Sequence, residues 1–229
     1  ITETEIERHN ARGILNAIDA SYAYIEFDLS GNILKANNNF LGAVGYEGHE
    51  VVGQHHRMFC APGVAASAAY AEFWRDLGAG HSQKGIFQRV GKAGRKVALQ
   101  SVYAPVTDEM GRVVKIVKIA TDVTVEAQSN DMLRSAVAQA QSVTQAAMQG
   151  DFSQRIPLEG KTGAVGELCA GVNGMLETTA VIFSDVARVF GALAAGDLSQ
   201  RIERSYQGSF GRLKDDANMT TEKLEGIIQ

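Results

Sequence analysis

Apolar and small residues climb the C-terminal half of the chain in steps of three and four. One ladder runs Leu133, Ala136, Ala140, Val143, Ala147, Gly150. A second passes unbroken through Val165, Leu168, Val172, Met175, Thr179, Ile182, Val186, Val189, Leu193 and Gly196, and a third runs Phe210, Leu213, Ala217, Thr220, Leu224, Ile227. Such steps average about 3.5 residues, the period of a left-handed coiled coil. No proline interrupts 165–196, so the pattern predicts one continuous helix of about 45–50 Å there, at about 1.5 Å per residue. A single chain buries so narrow a stripe poorly. The ladders therefore predict a parallel homodimer in which paired helices make four-helix bundles, with Leu168, Val172, Ile182, Val186 and Leu193 on the dimer axis.

The pattern before residue 125 has another period. Residues 22–28 alternate apolar and polar, and Leu-Ser-Gly-Asn then turns the chain into 33–37, which reads as a hairpin. Helical stretches are expected at 37–44, near 47–58 and at 67–77. Strands are expected at 83–91, 95–105 and 112–122, joined by turns around Gly91, Gly94 and Gly111. Two strands, short helices and three antiparallel strands make an α+β domain, with helices on one face of a five-stranded sheet and a pocket between. The expected divisions are a helix or linker at 1–11, the α+β domain at 12–124, a helical linker at 125–132, and helical units at 133–180 and 181–229.

Between the ladders, Gly-Asp-Phe-Ser-Gln-Arg-Ile at 150–156 returns as Gly-Asp-Leu-Ser-Gln-Arg-Ile at 196–202. Gly166, Leu168 and Asn173 return as Gly211, Leu213 and Asn218, one residue out of step, so the slack lies in the connector. A helix, a connector and a helix in two copies resembles tandem HAMP domains of bacterial sensory receptors, over about 133–229. The resemblance implies that Gly150 and Gly196 end first helices. It also implies that Phe152, Ile156, Leu198 and Ile202 tuck into the bundles. The second copy looks like methyl-accepting chemotaxis proteins.

The N-terminal words resemble a PAS domain. Asp28-Leu-Ser-Gly-Asn-Ile-Leu-Lys-Ala-Asn37 looks like its first hairpin, and Asp122-Val-Thr124 like the triplet that ends its last strand. Gly53-Gln-His-His-Arg-Met-Phe-Cys60 is similar to PAS domains of cytoplasmic chemoreceptors. Asp122 and Thr124 can cap the helix that follows and fix its exit angle.

Composition narrows the field. Net charge is −4 with both signs dispersed, unlike a nucleic-acid footprint. Two distant cysteines, Cys60 and Cys169, fit a reducing cytoplasm. No apolar run reaches the roughly 20 residues of a membrane span. The chain opens without an initiator methionine and stops inside a ladder, as expected of a piece of a longer receptor.

For pocket chemistry, histidine comes first. A haem b iron takes an axial nitrogen from the pocket wall. His55 and His56 would point about 100° apart on a helix, so at most one faces inward. The resemblance favours His56 as iron ligand, with N-capping or a core hydrogen bond as the alternative for either. Gln100 and Tyr103 on the sheet are expected to register a bound gas. FAD is the rival cofactor, since the chain also resembles flavin-binding aerotaxis receptors and keeps Trp74. It lacks their polar run after Gly53, holding Cys60, Ala61, Pro62 and Gly63 instead. An empty or small-molecule pocket is the third reading.

No phosphate loop, metal-ligand cluster or nucleophile–base pattern occurs, so no enzyme is expected in these residues. The expected function is the signal-input and relay part of a chemotaxis or aerotaxis receptor acting on a separate kinase and coupling protein. The alternatives are the input region of a sensor histidine kinase or cyclic-nucleotide enzyme, and a ligand-free dimerisation scaffold.

Overall fold

The structure is a computed structural model and describes residues 3–228. It divides into an N-terminal unit ending at Gln128 and a C-terminal unit from Ser129.

The N-terminal unit opens with helix α1, Glu3–Ser21, followed by strands β1, Ala23–Phe27, and β2, Ile33–Ala36. Helices α2, Asn38–Val44, and α3, Gly48–Val51, come next, then a 3-10 turn His56–Phe59 and helix α4, Ala68–Gly78. Strands β3, Gln83–Val90, β4, Lys96–Thr107, and β5, Val113–Asp122, close the domain. Among the described residues these strands form one antiparallel five-stranded sheet in the order β2-β1-β5-β4-β3. Two expectations shift. Helix α1 runs through the division expected at residue 12 (residues 1 and 2 lie outside the described residues). The helix expected near 47–58 splits in two, because Gly53 takes φ +84° between α3 and the 3-10 turn.

Strand alternation decides which side chains look inward. On β4, Val97, Leu99, Ser101 and Tyr103 are buried, and on β5 Ile116, Lys118 and Ala120 are. The helices cover that face: Phe40, Val44, Val51, Phe59 and Leu77 share one core with Ile25, Phe27, Leu99, Tyr103 and Ile116. Register places Tyr103 directly opposite Lys118.

Helix α5, Thr124–Met148, leads into the C-terminal unit, where α6 is Gly163–Ala194 and α7 is Gly208–Ile228. The continuous helix expected at 165–196 is therefore present. Ala136, Val143, Ile156, Cys169 and Leu176 form one core, and Val189, Ile202 and Ala217 another. Burial along the second ladder is uneven: Ile182 is 1% exposed and Val186 packs on the second core, whereas Leu168 is 68% exposed. The five residues expected on one dimer axis lie on one side of α6 by helix geometry, but a single chain buries them to different extents.

Candidate functional site

His56 lies at the centre of the N-terminal interior, 1% exposed. The 3-10 turn that begins with it is capped by its neighbour: His55 Nδ1 accepts from the Arg57 N–H at 3.0 Å. His55 is therefore an N-cap, partly buried against Trp74, and its extended backbone turns His56 the other way. Both His56 nitrogens are engaged. Nδ1 lies 2.9 Å from the Tyr70 hydroxyl and Nε2 lies 3.0 Å from that of Tyr103. Hydroxyls can donate or accept, so either neutral tautomer is served. Burial, then Arg89 and Lys118, push the imidazole well below its ordinary pKa, and the ring is neutral.

Haem b on His56 meets an obstacle in this arrangement. Iron would have to displace one of the two tyrosine hydroxyls. The porphyrin would have to enter among Phe27, Phe73 and Trp74, whose rings already lie 5.3–6.4 Å from the imidazole. The residues as placed do not fit the group.

Around His56 stands a polar shell that the alternation of β5 could have revealed. Lys118 occupies an inward position between Ile116 and Ala120, and is 1% exposed. Its Nζ lies 4.8 Å from the Tyr103 ring centroid and 5.6 Å from that of Phe40. Burial first, and Arg89 second, hold its pKa well below that of an ordinary lysine. Arg89 on β3 donates Nη2 to the Tyr103 hydroxyl at 3.0 Å and lies over Phe87. Burial raises the Tyr70 hydroxyl to about 12 and pushes the Cys60 thiol up, so both stay protonated. Trp74 Nε1 faces the Tyr70 hydroxyl closely enough to lower its pKa in part, yet makes no hydrogen bond of sound geometry. Gln100 does not belong to this shell. Its parity on β4 is opposite to that of Tyr103, and it lies on the outer sheet face beside Tyr22, Lys84 and Ile86.

The sheet ends in a small clasp. Asp122 Oδ1 accepts from the Thr124 N–H at 2.9 Å and from its hydroxyl. The Thr124 oxygen accepts the Ala98 N–H of β4 at 3.0 Å. The Val123 N–H donates to the Ala98 carbonyl at 2.9 Å. The first turn of α5 is thereby tied to β4: Asp122 holds the first helical N–H, while the Thr124 side chain bonds to the strand and not to the helix.

The repeated peptide builds a second kind of clasp, twice. Gly150 and Gly196 take φ of +88° and +81°, a region only glycine enters freely. The Gly150 N–H donates to Ala147 and that of Asp151 to Ala146. Gly196 and Asp197 do the same to Leu193 and Ala192. These are Schellman turns. Asp151 then accepts from the Ser153 N–H and hydroxyl at 2.9 and 2.6 Å, and Asp197 does the same for Ser199. Ile156 and Ile202 are each 1% exposed, while Phe152 and Leu198 are half-buried.

Each buried isoleucine is held by an asparagine. The Ile156 N–H donates to Asn173 Oδ1 at 2.8 Å, and Asn173 Nδ2 returns a bond to the Ile156 carbonyl at 2.9 Å. Asn218 and Ile202 repeat this at 2.8 and 3.1 Å. Gly166 and Gly211 allow the turn before each second helix, since a Cβ there would stand 2.8 Å from the Lys161 or Tyr206 carbonyl. The recurrence of both asparagines and both glycines is visible in the sequence, but their task shows only in these bonds.

Comparison with known proteins places the two units. Residues 15–128 match the family model of the PAS fold, and residues 161–226 that of the HAMP domain. Biofilm dispersion protein BdlA of Pseudomonas aeruginosa is 41% identical over 140 residues, 61% of this chain and 32% of that protein. Methyl-accepting chemotaxis protein McpB of the same organism is 45% identical over 86 residues, 38% of this chain and 13% of that protein. The match thus spans less than a third of either relative. A PAS domain from Colwellia psychrerythraea aligns with a TM-score of 0.44 at 23% identity, covering 50% of this chain and 97% of that one.

Proposed function

This chain joins a PAS-fold domain to a HAMP domain, and on that premise we propose that it is the signal-input and relay part of a bacterial chemoreceptor. The PAS interior takes a small molecule, and the HAMP connectors pass its effect toward a kinase and coupling protein outside these residues. The observation that carries the reading lies on β5. That strand presents Lys118 to the interior and ends four residues later at the Asp122–Thr124 clasp, where α5 begins. A change at the inner end of β5 therefore meets the helix start directly. HAMP bundles, with two packings of similar energy, are suited to convert such a change into a discrete rearrangement.

The test is to splice residues 1–229 onto the kinase-controlling part of a chemoreceptor of known output. Kinase activity should differ between this hybrid and one lacking residues 1–123. Equal activity in the two would overturn the input role.

The relay acts as a dimer. Leu168, Met175, Phe183 and Phe190 recur at steps of seven, eight and seven along α6 and are 44–68% exposed. They form an exposed stripe flanked on one side by buried Cys169 and Leu176 and, further along, on the other side by buried Ile182 and Val189. A second copy covers that stripe, as the coiled-coil period requires. Val186 serves the intrachain core and Phe183 stacks on Phe152, so the cleaner disruption is at Met175 and Phe190. Sedimentation should give a dimer for the unmodified chain and a monomer for Met175→Asp/Phe190→Asp. A monomeric unmodified chain would end the proposal.

A further inference from the structure

Inside the PAS unit two buried donors make no hydrogen bond, and a lysine joins them with aromatic faces for neighbours. Lys118 Nζ lies over the rings of Tyr103 and Phe40. Arg89 uses Nη1 and Nη2 on the Gln88 carbonyl and the Tyr103 hydroxyl, but its buried Nε has no partner. Trp74 Nε1 is buried and unpartnered as well. Buried polar atoms without partners are uncommon in folded interiors, because each loses its water for nothing in return. Here the mismatch has one direction: among the described residues of this unit, no buried side-chain acceptor is left unmet alongside these donors.

The charges are lopsided in the same sense. Arg89 and the Cys60 thiol are the ionisable groups that bear on Lys118, and neither is a carboxylate. Those bearing on His56 are Arg89, Lys118 and His55. Glu26 on neighbouring β1 is committed to Lys115 and Tyr24 on the other sheet face. Two basic groups, Arg89 and Lys118, thus share this interior, and no acidic side chain is among the groups that bear on them.

We propose that the PAS interior is a binding site for a small organic carboxylate, whose oxygens accept from Lys118, Arg89 and Trp74. A carboxylate only accepts, offers about four lone-pair sites, and carries the missing charge. Phe27, Phe40 and Phe73 pack in the same interior, so a ligand with a small apolar or planar body would exchange part of that aromatic packing for its own. Inorganic phosphate has no such body. This rests on the reading of the PAS unit as a small-molecule sensor and gives that molecule a chemical class.

The test is thermal unfolding of the whole chain with sodium benzoate, pyruvate or succinate at about 10 mM, against sodium chloride, inorganic phosphate, benzamide and succinamide. At least one carboxylate should raise the PAS transition, by on the order of 10 °C if it exceeds its Kd a hundredfold. Phosphate and the neutral amides should not. Lys118→Met, still melting cooperatively, should weaken binding about tenfold to a hundredfold, and half-exposed Arg89→Gln should also weaken it. No shift with any carboxylate, an equal shift with phosphate, or full affinity in Lys118→Met would each overturn the proposal. A shift with the amides alone would remove the carboxylate and leave the sensor standing. A carboxylate that binds the spliced receptor without changing kinase activity would instead remove the sensor reading.

Discussion

Replacing Lys118 with methionine should stabilise the PAS unit at neutral pH by about 1–4 kcal/mol, the range found when buried charges give way to apolar side chains of similar size. Lys118 is 1% exposed, has ring faces for neighbours, and stands near a second cation. Methionine fills the same volume with a flexible apolar chain and needs no partner. The sign of the pH dependence follows from the depressed folded pKa. Between that value and the unfolded lysine value of about 10.4, the unfolded chain holds a proton that the folded chain does not. Stability of the unmodified protein therefore rises with pH across that window. The advantage of the variant should shrink between about pH 7 and about pH 9.5. Urea unfolding of both proteins at the two pH values measures this. A variant less stable at neutral pH, or an advantage that does not change with pH, would show that Lys118 has a partner in solution.

The second large effect is expected in the first connector. Ile156→Asp should cost about 3–5 kcal/mol, because it places a carboxylate among the apolar side chains of Ala136, Val143, Cys169 and Leu176. Ile156 is held by its own backbone as well, through both bonds to Asn173. A side chain pulled toward water would drag those bonds apart. Helical circular dichroism should fall at temperatures where the unmodified chain is fully helical, while the PAS transition stays in place. Asp151→Ala, by comparison, removes an exposed turn and should cost well under about 1 kcal/mol. Unchanged helicity in Ile156→Asp would mean the connector does not pack as described.

Much of this was legible in the residue pattern. The ladders gave the long helix over 163–194, and the near-copy at 150–156 and 196–202 located both Schellman glycines and both buried isoleucines. Strand ends were read to within about two residues, because alternation and turn glycines mark them. Three things were not legible. The period alone did not separate the stripe buried within the chain from the stripe left exposed, since Leu168 and Cys169 are neighbours on one helix and only packing tells them apart. Histidine and tryptophan announce cofactors in a sequence, whereas the basic residues of the candidate pocket sit on strands and show only through parity. Lys118 falls on the inward beat of β5, and Gln100 on the outward beat of β4. The asparagine clasps pair residues 16 or 17 positions apart through backbone atoms, which no side-chain pattern encodes.

Relay from sheet to helix is tested most directly at Asp122 in the spliced receptor proposed above. Its carboxylate holds the Thr124 N–H and hydroxyl and lies 4.0 Å from Arg95, with its side chain 36% exposed and outside the His56 shell. Asp122→Ala should leave ligand affinity of the PAS unit within about twofold, since distant sites add independently. The same change should abolish the ligand-dependent change in kinase autophosphorylation, because the first turn of α5 loses its tie to the sheet. Binding and kinase response measured on one preparation decide the matter. Intact binding with a lost response is the expected result. A full kinase response in Asp122→Ala would contradict the relay through this clasp.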